Sequence, residues 1–223
     1  EEADERNMER AEDILHGIMP VRLCGIDYIY YAPWDIIPRL HGVNNVLMDV
    51  ALKPEFMHAV IKKFSEIMTA EIDQWDKLGL LEGNCKNLHC TPGFTKTLEG
   101  ERKEPVTKNM WFRQMAQIFG SVSPEMHNEF DLEYSKALSS RFGLVYYGCC
   151  EPLDNLIPYL KKIPNLRKIG CSPWANVEKC AEQIGRDYVL SRKPNPANVS
   201  LKTDTEIVKK EIIETINACR KNH

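Results

Sequence analysis

From residue 143 onward the chain repeats one pattern. The apolar run GLVYYGC is followed by the helix-like PLDNLIPYLKKI, LRKIGCS by ANVEKCAEQIG, and DYVLSRK by TDTEIVKKEIIETINACRK. Each run suits a short strand buried on both faces, and each following segment carries apolar residues at helical spacing. Strands joined through helices pair in parallel by right-handed crossovers. One further unit precedes these. MWFRQMAQIFGSV reads as a strand, and SPEMHNEFDLEYSKALSSRF as a helix with Ser123 as N-cap, Pro124 in first position and Glu125 in the first turn. The fold class is α/β.

No Gly-x-Gly-x-x-Gly fingerprint opens any of these helices, so a barrel is favoured over a dinucleotide-binding sheet. Upstream, residues 1 to 18 fit a helix with Met8, Ala11, Ile14 and Leu15 on one face. VRLCGIDYIYYAP reads as extended and is closed by Pro33, and a long helical pattern runs from Pro54 to Leu81 with Gly79 as its stop. Between Glu82 and Lys108 the periodicity disappears, which marks a long loop. The count is roughly five to six βα units, whereas a (β/α)8 TIM barrel typically takes about 250 residues. We therefore expect residues 1–223 to form a single TIM-barrel-type domain, incomplete in this chain, without its N-terminal strands and its last strand. An incomplete barrel exposes strand edges and apolar helix faces, so a homodimer is expected.

Composition narrows the partners. With 43% hydrophobic residues, a net charge of -3 and no long apolar run, the chain reads as soluble and cytoplasmic rather than membrane-bound. Lys and Arg are scattered, so no nucleic-acid partner is expected. The eight cysteines are not spaced as the disulfide framework of a small secreted domain, and most should be reduced.

In a barrel, catalytic groups sit where strands end and βα loops begin. That rule selects Gln117 to Ser121, Cys149 to Glu151, Cys171 to Trp174 and Ser191 to Asn195. Cys149 and Cys150 stand at one such junction. They read either as zinc ligands or reactive thiols, or as small buried hydrophobes, or as a vicinal disulfide. Successive strand residues point to opposite faces, so the two thiols meet only if the strand breaks at Gly148. Glu151 reads as a ligand or general base, or as an acid at a helix start. Cys171 is a third thiol candidate, whereas Cys24, Cys180 and Cys219 read as core. His89 and Cys90 lie in the irregular loop and complete a site only if that loop folds over the mouth. Lys193, followed by Pro194 and Pro196, is a candidate for a substrate carboxylate or phosphate, and Trp174 for stacking on a planar ligand; each also reads as an ordinary surface or packing residue. Arg113, Gln114 and Gln117 are polar residues in an apolar strand and need partners, with Gln117 the one expected to face ligand.

The stretch from AQIFGSV through YYGCCEPLDNLIPYLKKIPNLRKIGCSPW to DYVLSRKPNPA resembles the C-terminal half of the uroporphyrinogen decarboxylase superfamily. PVRLCGIDYIYYAPWDIIPRLHGVNNVLMDVALKPEFMHAVI is similar to its middle portion, so the resemblance spans nearly the whole chain. It implies a (β/α)8 barrel and one of two chemistries. One branch decarboxylates uroporphyrinogen, a tetrapyrrole, without a cofactor. The other uses zinc to move methyl groups between a corrinoid protein and a thiol or small substrate. The Arg-rich signature and early Asp of the decarboxylases have no counterpart here. In the methyltransferases a His-x-Cys pair ends a strand; Tyr147 stands at the His position here and Cys149 at the Cys. The resemblance points to Tyr147 and Cys149; together with the strand-end and loop reading, the candidates are Cys149, Glu151 and Tyr147 as catalytic, Gln117, Trp174 and Lys193 as substrate-binding, and Cys149, Cys150, Cys171 and His89 as the pool of zinc ligands. A methyltransferase-type member is the leading expectation; a decarboxylase, or a non-catalytic tetrapyrrole- or corrinoid-binding barrel, is the alternative.

Overall fold

The computed structural model describes residues 2–82, 88, 90–98, 106–200 and 204–222. Five strands, β1 (Ile29–Tyr31), β2 (Trp111–Gln114), β3 (Leu144–Tyr147), β4 (Leu166–Cys171) and β5 (Val189–Arg192), form one sheet in the order β1-β2-β3-β4-β5. Every neighbouring pair is parallel. Sequential order with parallel pairing means that each crossover steps in the same direction, which sends the helices to one face. The architecture is α/β and is consistent with part of a (β/α) barrel.

The helices follow the sequence in part. α1 spans Glu2–Leu15 and buries none of its residues. Between β1 and β2 lie α2 (Pro33–His41), α3 (Val43–Leu52) and α4 (Pro54–Lys77); α2 and α3 cover a stretch to which the periodicity assigned no helix. α4 stops a turn earlier than expected, because Gly79 takes φ 65° and the chain reverses there. The segment VRLCGIDYIYYAP yields only three strand residues. Its cysteine, Cys24, is exposed rather than core.

After β2 come a 3-10 turn (Gln117–Ser121), α5 (Pro124–His127) and α6 (Glu133–Ser139). The Ser123 side chain accepts a hydrogen bond from the Met126 amide, as the N-cap pattern required. A π turn over Asn128–Leu132 joins α5 to α6, and such turns concentrate at functional or crowded positions. α7 (Ile157–Leu160) follows β3, α8 (Val177–Ile184) follows β4, and α9 (Ala197–Ser200) and α10 (Thr205–Asn222) follow β5. Among the described residues no helix is long and apolar enough to cross a membrane.

Strand alternation divides the core in two. Phe112, Val145, Tyr147, Ile169 and Cys171 pack against helix residues such as Leu138, Phe142, Ile157 and Cys180. Trp111, Leu144 and Tyr146 point the other way, where Leu88 and Leu98 of the irregular segment cover them. The loop predicted between Glu82 and Lys108 thus contributes side chains to the sheet's inner face.

Candidate functional site

β3 ends at Tyr147, and Gly148 follows with φ 105°. A Cβ there would strike Leu153 and the Gly170 backbone, so the turn requires glycine twice over. The turn breaks strand alternation. Cys149 Sγ and Cys150 Sγ accordingly lie 3.8 Å apart, although Cys149 is buried and Cys150 exposed. The Gly148 amide still bonds the Gln114 carbonyl, so β2 fixes where the turn begins.

Glu151 fixes where it goes. Its carboxylate accepts hydrogen bonds from the Cys149 amide at 2.9 Å and from the Ala116 amide at 3.2 Å. It therefore anchors the ends of β3 and β2 to each other, and it lies ahead of α7 rather than in its first turn. Burial raises its pKa, against the pull of those amides.

Lys193 arrives from β5, its amide bonded to the Cys171 carbonyl. Its Nζ lies 3.3 Å from Cys149 Sγ, 3.3 Å from Cys90 Sγ and 3.1 Å from the Cys149 carbonyl. Cys90 comes from the irregular segment, and its sulfur stands 3.9 Å from that of Cys149. Arg113 closes the cluster from below. It is fully buried, donates to the Gly148 carbonyl, reaches Cys90 Sγ at 3.8 Å, and stacks on the Tyr146 ring with its guanidinium carbon 3.8 Å from the centroid. Lys168 faces the same ring at 4.9 Å and holds the segment through Thr91 Oγ1 and the Pro92 carbonyl.

The electrostatics separate the two thiols. For Cys90, burial works against the thiolate, but Lys193 and then Arg113 outweigh it and the pKa falls. For Cys149 burial wins over Lys193, and the pKa is pushed up to about 12. Burial opposes the Lys193 charge, yet Tyr146, Cys149 and Cys90 outweigh it and raise its pKa. The arrangement is an exposed, ionisable thiol beside a buried, protonated one, with an ammonium between them.

Several expected site residues lie elsewhere. Tyr147 points into the helix layer, where its hydroxyl meets Asp131 Oδ2 and His127 Nε2 at 2.6 Å each. Cys171 also faces that layer, packed with Cys180 and 3.7 Å from Arg192 Nη1. The physical reason is the same for both: Tyr147 lies one position from inner-facing Tyr146 and Cys171 three positions from inner-facing Lys168, and an odd step along a strand reverses the face. Gln117 is held by Asp35 through its amide side chain at 2.7 Å, and Trp174 is 68% exposed. His89 lies outside the described residues. Of the residues chosen from the sequence, the structure brings together Cys149, Cys150, Glu151, Lys193, Cys90 and Arg113. It adds Tyr146 and Lys168, whose signal was a basic residue on a strand and an aromatic residue placed beside it across two ladders.

Zinc can be tested against this donor set. Zinc–thiolate bonds of about 2.3 Å place tetrahedral sulfurs about 3.8 Å apart, close to the two sulfur spacings here. However, the cation facing both Cys90 and Cys149 is the Lys193 ammonium, and among the described residues no group of three or more His, Cys, Asp or Glu side chains is arranged to hold a metal ion. The described donors by themselves do not fit zinc.

An apolar cavity of about 500 Å³ lies between α2 and α4, lined by Leu40, Phe56, Val60 and Ile67 among others, with His41 and Lys63 the polar side chains among the described residues that line it. It shares no residue with the thiol cluster. No family model, no curated protein and no solved structure matches the chain.

Proposed function

We propose that this chain is a thiol-dependent methyltransferase of the uroporphyrinogen decarboxylase-like type that its sequence resembles, built on a (β/α)8 barrel of which the described sheet is part. The observation that carries the reading is the Lys193 ammonium 3.3 Å from both Cys90 Sγ and Cys149 Sγ. A methyl transfer to sulfur needs a thiolate, an approach from solvent and a cation that does not itself react with the thiolate. Cys90 is exposed and its ionisation is favoured by Lys193 and Arg113, so it is the acceptor. Cys149 stays protonated behind it, and Glu151 holds the turn through the Cys149 amide. The methyl donor would be a small methylated compound or a methylated corrinoid carried by a partner protein; as the carbon–sulfur bond to Cys90 forms, the bond from the methyl group to the donor would break and its electron pair would leave with the donor.

The test uses the full chain, reduced, with methylcobalamin as the probe and intact-protein and peptide mass spectrometry as the readout. The expected result is a gain of one methylene on Cys90. Lys193→Met should slow that gain about tenfold at neutral pH by raising the thiol pKa. Methylation spread evenly over exposed cysteines, with Cys24 and Cys150 reacting as fast, would overturn the reading.

A second reading has its own observation. Arg113, Lys168 and Lys193 converge on one face, and among the described residues none of them has a carboxylate within ion-pair distance. Such a face suits a polycarboxylate such as a uroporphyrin-type tetrapyrrole, for binding or decarboxylation. Tight uroporphyrin binding by fluorescence, lost in Lys168→Met and unaffected by thiol alkylation, would favour it over methyl transfer.

A further inference from the structure

Oxidation is a separate question from methyl transfer, and the same sulfurs pose it differently. Cys90 belongs to the segment that covers the inner face, whereas Cys149 sits on a turn locked by Gly148 and Glu151. Their sulfurs are 3.9 Å apart without being bonded. We propose that Cys90 and Cys149 form a thiol–disulfide exchange site for small soluble disulfides, whose product is a Cys90–Cys149 disulfide tying the covering segment to the end of β3. The inference rests on the placement of the two sulfurs and stands whether or not the pair accepts methyl groups.

The asymmetry of the pair sets the order of events. Cys90 is exposed and meets the disulfide first; Cys149 is buried and waits. The Cys90 thiolate attacks one sulfur of the disulfide, forming a mixed disulfide and releasing one small thiolate. Cys149 then gives its proton to that thiolate, and its sulfur attacks the Cys90 sulfur, displacing the second small thiolate. Two protein thiols are oxidised, and one disulfide is reduced to two small thiols. Lys193 lies within 3.3 Å of both sulfurs and stabilises whichever carries the negative charge as each bond changes. A disulfide of about 2.05 Å requires the sulfurs to close by about 2 Å.

Cys150 is the competing partner, at 3.8 Å from Cys149. A disulfide between adjacent residues closes a small ring that distorts the intervening peptide, so the loop thiol is the better partner. Closure removes the exposed thiolate and takes both sulfur contacts from Lys193, which switches off any chemistry that Cys90 performs.

The experiment equilibrates the reduced full chain with glutathione disulfide and glutathione mixtures, counts free thiols, and maps the linked peptides without reduction. The expected result is loss of two thiols and a Cys90–Cys149 peptide, formed about tenfold more slowly in Lys193→Met. Cys149→Ser should stop at glutathione on Cys90. A stable glutathione adduct on Cys90 in the unaltered chain, a Cys149–Cys150 link, or no loss of thiols would each overturn the proposal. Disulfide formation without methylation by methylcobalamin sinks only the methyltransferase reading, and methylation without disulfide formation sinks only this one.

Discussion

Tyr146 and Tyr147 are consecutive phenols on β3, and the two faces they serve are opposite in kind. Tyr146 lies under two cations, Arg113 and Lys168, beside the Cys90–Cys149–Lys193 cluster. Among the described residues, the buried network around Tyr147 holds no charged basic side chain. The Tyr147 hydroxyl donates to Asp131 and leaves its oxygen to accept from neutral His127. Burial pushes Asp131 up to about 8 and His127 down to about 3, so both are uncharged near neutral pH. The inner face keeps its charges because a thiolate, an aromatic ring and solvent stabilise them. The outer face, sealed by α5, α6 and the π turn, neutralises its groups by shifting their protons. The proposed thiol chemistry draws on the inner face, and the outer face is a stability element.

The largest expected effect tests whether the inner face is also structural. Arg113→Ala removes a fully buried side chain, its bond to the Gly148 carbonyl and its stacking on Tyr146. Urea unfolding should show a loss of about 3 kcal/mol. A loss below about 1 kcal/mol would mean that the guanidinium contributes to function without holding the turn.

Next comes pH. Asp131 rises from its usual 3.8 to about 8, so the folded state holds a proton that the unfolded state has released, and stability falls as pH rises through that window. His127 falls from 6.5 to about 3, so its contribution is present above 6.5 and is lost as pH falls toward 3. Between about 4 and 6.5 the two slopes oppose each other; from 6.5 to 8 only that of Asp131 remains, worth at most about 2 kcal/mol. Across that upper window stability should fall more steeply with pH in the unaltered chain than in Asp131→Asn, because the Cys171 thiol, lowered to about 7, opposes the decline in both. Equal slopes in both would show that Asp131 is ionised in the fold.

The smallest effect sharpens the comparison on one atom. Tyr147→Phe leaves buried Asp131 and His127 without their shared hydroxyl and should cost about 1 to 2 kcal/mol. Tyr146→Phe loses only a 3.4 Å contact with Ser191, keeps the ring beneath Arg113, and should cost a few tenths. A reversed order in thermal unfolding would break the assignment of the two faces.

Much of this frame was legible in the chain. The alternation after residue 143 foretold β3, β4, β5 and the parallel pairing, since period and length distinguish short buried strands from helices without knowledge of contacts. The Ser123 cap, the Gly79 stop and the break at Gly148 were equally local. Cys149, Cys150, Glu151 and Lys193 could be selected because strand ends are readable. The face that each residue presents was harder to read. Cys171 and Tyr147 also end strands, and one step of alternation sent them to the helix layer.

The covering segment marks the boundary. The lack of periodicity between Glu82 and Lys108 identified a loop, but nothing in NLHCTPGF says that Cys90 comes to rest 3.9 Å from a thiol 59 residues away. The sequence by itself determined the strands, the turns and the types of reactive side chain, because backbone propensity and local spacing act within a few residues. Only the tertiary structure decided that Lys193 stands between two sulfurs, that Arg113 lies on Tyr146, and that Asp131 keeps its proton. Those outcomes depend on the burial and Coulomb interactions of groups that become neighbours only when the sheet and its covering segment close together.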